Sequence, residues 1–337
     1  MNETKNCLVT GSAGFIGSAL TKRLMDEGYN VFSVDSFSDY YSIELKKNRL
    51  KEFQINSKSN FLNIDLKDKS DIRKLIRELH PNLVVHLAAQ PGVRLSRDLY
   101  NKYTINNILA FENLILSCIN EGVDNLVYAS SSSVYGNSAR IPYSEYEVKL
   151  EPKSYYGYTK LINEKMIKYY FEDFGTRVRG LRFFSVYGPW GRPDMAYFRI
   201  CSHAVSGSQF TKFGDGTVER DFTYIDDVIQ ATYLLIEDLL KREVGFKDIV
   251  NVGGGEPSSV NNIMKTVTFF TKQELSYVEG KNNPADVEKT HADADYLQNL
   301  IRYKPDTPLE TGLRNVLSWM QNDEVKKNLG SWINSCQ

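Results

Sequence analysis

Short apolar runs alternate with longer stretches of helical period through the first half of the chain. Runs at 7–9, 31–34, 61–64, 83–87, 126–129 and 178–184 read as strands, and 14–27, 68–79, 99–121 and 156–174 carry the apolar spacing of helices. Such alternation implies a parallel sheet covered on both faces. Beyond residue 188 the pattern breaks up into the loop PWGRPDMA, the turn-rich GDGTVERDF and the polar GKNNPADVEKTHADAD, with a further apolar strand at 249–252. The expected fold class is α/β: a doubly wound parallel sheet over 1–184 and a smaller α/β lobe over 185–337. The 220–255 segment is expected to return to the first sheet, leaving the second lobe discontinuous.

Composition narrows the partners. The 337 residues, 42% hydrophobic, suffice for two lobes with substantial cores. Lysine and arginine number 41 against 42 acidic residues, a net charge of −1. This leaves no broad basic surface for nucleic acid or an anionic membrane, so any anion must be recognised locally. Cys7, Cys118, Cys201 and Cys336 are far apart and lack ligand spacing, which predicts neither a disulfide scaffold nor a metal site. No apolar run is long enough to cross a bilayer and the N-terminus does not read as a signal peptide, so a soluble cytoplasmic protein is expected.

The first strand runs into T-G-S-A-G-F-I-G, placing Gly11, Gly14 and Gly17 at a strand-to-helix turn. There backbone N–H groups can meet a diphosphate at the helix N-terminus, a Rossmann-type arrangement. Asp35 ends the second strand, 18 residues after Gly17. An acid there accepts from ribose hydroxyls and repels a 2′-phosphate, which favours NAD over NADP. Asp65, ending the third strand, is a further candidate beside adenine. The competing readings are glycines kept for conformation and an ordinary turn aspartate.

Ala129-Ser-Ser-Ser-Ser-Val-Tyr-Gly136 is followed by Ser154-Tyr-Tyr-Gly-Tyr-Thr-Lys160. Together with the glycine motif, Asp35 and His86-Leu-Ala-Ala-Gln90, these segments resemble the extended short-chain dehydrogenase/reductase family. Arg220-Asp-Phe-Thr-Tyr-Ile-Asp-Asp227 and Asn251-Val-Gly-Gly-Gly255 resemble its substrate lobe. The resemblance implies Tyr156, Lys160 and Ser131 as catalytic residues. It implies a NAD site formed by Gly11, Gly14, Phe15, Ile16, Gly17, Asp35, Asp65, Leu66, Leu87, Ala88, Ala89 and Phe183 with Tyr156 and Lys160. Tyr156 and Lys160 lie four apart and share a helix face, where the ammonium is expected to favour the phenolate and hold a ribose hydroxyl. An ordinary phenol titrates near about 10, so a base needs that help. Ser131 would orient the substrate hydroxyl. Neither Tyr155 nor Tyr158 lies four before Lys160, and both are assigned to packing or substrate-lobe contacts. A plain amphipathic pair is the alternative for Tyr156 and Lys160.

Dehydratases and decarboxylases of this superfamily usually carry an acid two positions before the tyrosine of V-Y-G, and here that position is Ser133, preceded by Ser132. The pattern is similar to that of 4-epimerases, which oxidise C4, rotate the 4-keto sugar and reduce its other face with the same NAD. Arg220 is expected to grip the diphosphate and Asp286 the nucleoside, with Asn283 standing where many relatives have arginine. Arg182-Phe-Phe-Ser-Val-Tyr-Gly-Pro-Trp-Gly-Arg-Pro-Asp-Met-Ala196 and Gln90-Pro-Gly-Val-Arg-Leu-Ser96 look most like UDP-glucuronate 4-epimerases. That implies Arg192 and Ser185 on the C6 carboxylate, aided by Ser132, Ser133 and Arg94. The alternative for Arg192 is capping a helix or pairing with Asp194. Ser185 replaces the usual threonine, and Q-P-G-V-R-L-S the usual Q-A-G-V-R-Y-S. A UDP-hexose or N-acetylhexosamine substrate, a decarboxylase or reductase, and a non-catalytic dinucleotide sensor stay open. The resemblance also implies a homodimer through the 99–121 and 156–174 helices.

Overall fold

A computed structural model describes residues 5–55, 60–137, 140–281 and 286–335. Its strands are β1 Asn6–Thr10, β2 Asn30–Asp35, β3 Phe61–Asn63, β4 Leu83–His86, β5 Asn125–Ser131, β6 Arg177–Phe183, β7 Ser185–Tyr187, β8 Phe210–Phe213, β9 Glu219–Tyr224, β10 Lys247–Val252, β11 Pro257–Ser259 and β12 Tyr277–Gly280. The helices are α1 Phe15–Asp26, α2 Ile43–Glu52, α3 Lys69–Leu79, α4 Tyr100–Tyr103, α5 Ala110–Asn120, α6 Tyr155–Tyr170, α7 Ala196–Ser206, α8 Ile225–Leu239, α9 Val260–Thr271, α10 Asp295–Ile301, α11 Leu309–Met320 and α12 Asp323–Asn334.

Seven strands form one parallel sheet in the order β10-β6-β5-β4-β1-β2-β3. The near-continuous burial of β1, β4 and β5 is what two covered faces require. α3, α5 and α6 cover one face and α1 and α8 the other. The winding reverses beside β1, which pairs with both β2 and β4. Ligands of such sheets bind outside the carboxyl ends of the strands at this reversal.

Local chemistry sets the element ends. Asp68 caps α3 by accepting from the N–H groups of Ser70 and Asp71, and Ile72, Leu75 and Ile76 supply its buried stripe. The expected 99–121 helix is instead α4, a π-helical stretch at Thr104–Leu109, and α5. The π turn has a use. It buries Asn107, whose side chain accepts from the Gln90 N–H at 2.7 Å and donates to the Gln90 carbonyl at 3.1 Å. The loop after β4 is thereby fixed.

The region expected to be irregular holds α7 to α12. β7, β9 and β11 form one small sheet and β8 and β12 another. Trp190, ahead of α7, packs against Trp319 on α11 and Trp332 on α12, with ring centroids 5.1 and 6.3 Å away. Cys7, Cys118 and Cys201 are buried free thiols, and Cys336 lies outside the described residues. No described helix is long and apolar enough to cross a membrane, and the described residues hold no cluster of three metal-ligating side chains.

Candidate active site

A cavity of about 660 Å³ opens at the carboxyl ends of β1, β2, β4, β5 and β6, beneath the second lobe. Its wall contains Gly11, Gly14, Phe15, Ile16, Gly17, Asp35, Asp65, Leu66, Leu87, Ala88, Ala89 and Phe183 at one end. Ser131, Ser132, Ser133, Tyr156 and Lys160 line its middle, and Arg94, Ser185, Arg192, Arg220 and Asp286 line the remainder. Residues scattered over most of the sequence therefore share one space.

The glycine end fits a dinucleotide. Gly11 has φ of +74°, and a Cβ there would lie 2.7 Å from the Ala88 nitrogen; on Gly17 it would lie 2.0 Å from the Gly11 carbonyl oxygen. Only bare backbone allows this turn. Gly14 caps α1 with no side chain to occupy the first-turn amides, leaving donors for a diphosphate. Asp35 accepts from the N–H groups of Ala13 at 3.1 Å and Phe37 at 2.8 Å, which holds its carboxylate over the loop. Asp65 is paired with Lys67 at 2.8 Å.

Ser154 caps α6 by accepting from the Gly157 N–H, so Tyr156 falls in the first turn and Lys160 one turn on. Burial pushes the Tyr156 phenol up, opposed by the charge of Arg192 and a hydrogen bond with Ser131. The Lys160 ammonium donates to the Ala129 carbonyl at 2.8 Å and stands 6.0 Å from the Tyr156 ring centre. Burial lowers Lys160 to about 8, opposed by Glu164. Ser131 also accepts from the Ser133 N–H at 3.2 Å. Tyr155 stacks on Tyr100 with centroids 5.0 Å apart, and Tyr158 is exposed.

The second lobe brings its own charges. Arg192 forks onto Asp194 through Nε at 3.0 Å and through Nη2, and Tyr40 donates to the same carboxylate at 3.1 Å. Nη1 of Arg192 has no hydrogen-bond partner among the described residues. Asp286 sits between two arginines, 2.8 Å from Arg94 Nη2 and 3.7 Å from Arg220 Nη2. Arg94 thus pairs with Asp286 and stands over the Phe213 ring, its guanidinium carbon 4.9 Å from the ring centre. Asn283 lies outside the described residues.

The sequence reading missed the support behind these groups. Glu164, one turn beyond Lys160, forms a buried bidentate pair with Arg182 at 2.9 and 2.8 Å and accepts from the Ser130 hydroxyl at 2.6 Å. Arg182 also donates to the Tyr135 hydroxyl, which donates to Asn251. The sequence carries one signal for it: Glu164 lies four residues after Lys160, on the helix face that Tyr156 and Lys160 share.

A family model described as the NAD dependent epimerase/dehydratase family matches residues 7–253. Protein CapI of Staphylococcus aureus is 36% identical over 93% of this chain and 97% of its own length. UDP-glucuronate 4-epimerase 4 of Arabidopsis thaliana is 35% identical over 93% of this chain and 74% of its own. The crystal structure of the UDP-glucuronic acid 4-epimerase of Bacillus cereus, in complex with UDP-glucuronic acid and NAD, superposes with a TM-score of 0.86. It has 33% identity and covers 94% of this chain and 99% of that one. A seven-stranded parallel sheet, a glycine cradle at its reversal point, and likeness over nearly the whole length lead to one statement: this chain belongs to the NAD-dependent epimerase/dehydratase family.

Proposed function

We propose that this protein is an NAD-dependent 4-epimerase that interconverts UDP-glucuronate and UDP-galacturonate. The observation that carries this reading is a single cavity wall that brings Tyr156, Ser131 and Arg192 together with the serines at 132 and 133. The named relatives that act on UDP-glucuronate support it. NAD, when bound along the glycine loop and Asp35, supplies reversible oxidation of the C4 carbinol. The chain's residues do the rest. Tyr156 takes the C4 hydroxyl proton and later returns one, with Ser131 orienting that hydroxyl. Lys160, fixed on the end of β5, holds a ribose hydroxyl. Arg220 holds the diphosphate, competing with its own contact to Asp286, so the sugar turns while its nucleotide stays put.

Arg192 and Ser185 hold the C6 carboxylate, with Ser132 and Ser133 as further donors. A 4-keto hexuronic acid is a β-keto acid that loses carbon dioxide when its carboxylate reaches the cleavage geometry, and a clamped carboxylate resists that loss. The absence of an acid at 132 and 133 removes the usual proton shuttle of a dehydratase. In this assignment residues 1–184 carry NAD together with α8 and β10, the part of the expected returning segment 220–255 that packs on or joins the main sheet, and the remainder of 185–337, Arg220 on β9 included, carries the sugar nucleotide.

Arg192→Ala is expected to weaken UDP-glucuronate binding to the NAD-loaded enzyme roughly 30-fold or more while leaving UDP-glucose within about twofold, since only the acidic ligand loses its ion pair. Calorimetric titration with both ligands measures this; equal losses sink the carboxylate assignment.

A homodimer forms part of the proposal. Tyr158, Ile162 and Tyr169 are exposed along one face of α6, and Ile105 and Leu109 are exposed on the neighbouring helical segment. Apolar faces of this kind suit helix packing between two copies. Sedimentation equilibrium is expected to give twice the 38.5 kDa chain mass, and Ile162→Glu the single chain; a monomeric parent protein contradicts this.

A further inference from the structure

Arg49 on α2 is fully buried, yet it pairs with no described carboxylate. A buried arginine normally has an acid beside it. All its bonds go to neutral oxygens instead. Nε donates to the Trp190 carbonyl and Nη2 to the Gly191 carbonyl, both at 2.8 Å. Nη1 donates to the Ala13 carbonyl at 3.2 Å and to the Tyr41 hydroxyl at 2.7 Å.

The carbonyl acceptors belong to two different loops, and Tyr41 lies in the segment that leads into α2. Ala13 lies in the glycine-rich turn, with its own N–H bound to Asp35. Trp190 and Gly191 immediately precede Arg192. Trp190 has φ of +62°, a conformation that a bulky residue adopts only when its surroundings impose it. Two consecutive carbonyls clamped by one planar edge are such an imposition, with the tryptophan ring held from the other side by α11 and α12.

We propose that Arg49 is a positioning residue that fixes Arg192 from the cofactor side, tying the dinucleotide turn and the substrate-carboxylate loop into one unit. The inference rests on the reading of Arg192 as the carboxylate ligand. The guanidinium is kept for its geometry. A lysine carries the same charge but only a point donor, and it cannot span two consecutive carbonyls and the glycine-rich turn at once.

The test is a double-mutant cycle on the NAD-loaded enzyme, with dissociation constants for UDP-glucuronate and UDP-glucose from calorimetry. Arg49→Lys is expected to weaken UDP-glucuronate roughly tenfold and UDP-glucose far less, because a displaced Arg192 loses the carboxylate alone. Combined with Arg192→Ala, it is expected to add less than about twofold, the mark of two residues acting through one interaction. Additive losses, or equal weakening of both ligands by Arg49→Lys, overturn the inference while Arg192→Ala keeps its selectivity. An Arg192→Ala variant that shows no selectivity sinks the carboxylate reading, and the inference with it. If Arg49→Lys does not fold, Tyr41→Phe removes one acceptor of the same guanidinium and is expected to shift the ratio in the same direction by roughly threefold; an unchanged ratio then counts against the proposal.

Discussion

Replacing Tyr156 with phenylalanine is expected to lower kcat for epimerisation by about 10²–10⁴-fold, the usual worth of a positioned general base. The change deletes one hydroxyl from a side chain in the cavity wall. It removes the group that accepts the C4 proton and returns it, and leaves the glycine turn, Asp35 and the arginines in place. Binding of NAD and of the sugar nucleotide is expected to stay within a few-fold of the parent, because a loss confined to kcat marks an interaction made only in the transition state. Folding stability is expected to stay within about 1 kcal/mol of the parent, since one hydroxyl is deleted and the ring stays in place. Steady-state rates with thermal melts check both parts. A variant that turns over at the parent rate removes Tyr156 from the mechanism, and Tyr155 does not replace it, since its hydroxyl bonds Thr104 at 2.8 Å.

Glu164→Ala is expected to cost about 3–5 kcal/mol of folding stability, because it strands a buried guanidinium. Arg182 is 3% exposed and loses two charge-assisted bonds at once. The Ser130 hydroxyl loses its acceptor beside the catalytic serine. Lys160 loses the one negative neighbour that supports its charge, so its proton, already released at about 8, is given up more readily still. The stability loss is read from chemical denaturation. A Glu164→Met/Arg182→Met double substitution is expected to recover most of it, since apolar residues of similar volume often replace a buried pair without penalty. If the single substitution costs under about 1 kcal/mol, the pair does not anchor α6 to β6.

The parts legible in the sequence were those written in local spacing. The glycine turn, Asp35 at a strand end and the four-residue step from Tyr156 to Lys160 each follow from one element's geometry. Where groups from distant segments meet, local spacing was silent. Arg49 reads as one more cation on a polar helix, and only the folded chain brings it to Ala13, Trp190 and Gly191. Nothing in the local spacing around Asp286 points to Arg94 or Arg220, yet its carboxylate lies between them. The π turn at Thr104–Leu109 was invisible because its apolar spacing matches that of an ordinary helix over so few residues. The helices of the second lobe were hidden by the polar loops between them, which dominate any short window.

The most direct test of 4-epimerisation is the product formed from UDP-glucuronate by the purified NAD-loaded protein, followed by proton NMR at the anomeric and H4 positions. A new galacto-configured uronate is expected to appear to equilibrium, with no carbon dioxide released and no net change in NADH. Accumulation of a UDP-pentose, or turnover of UDP-glucose with UDP-glucuronate left untouched, contradicts it.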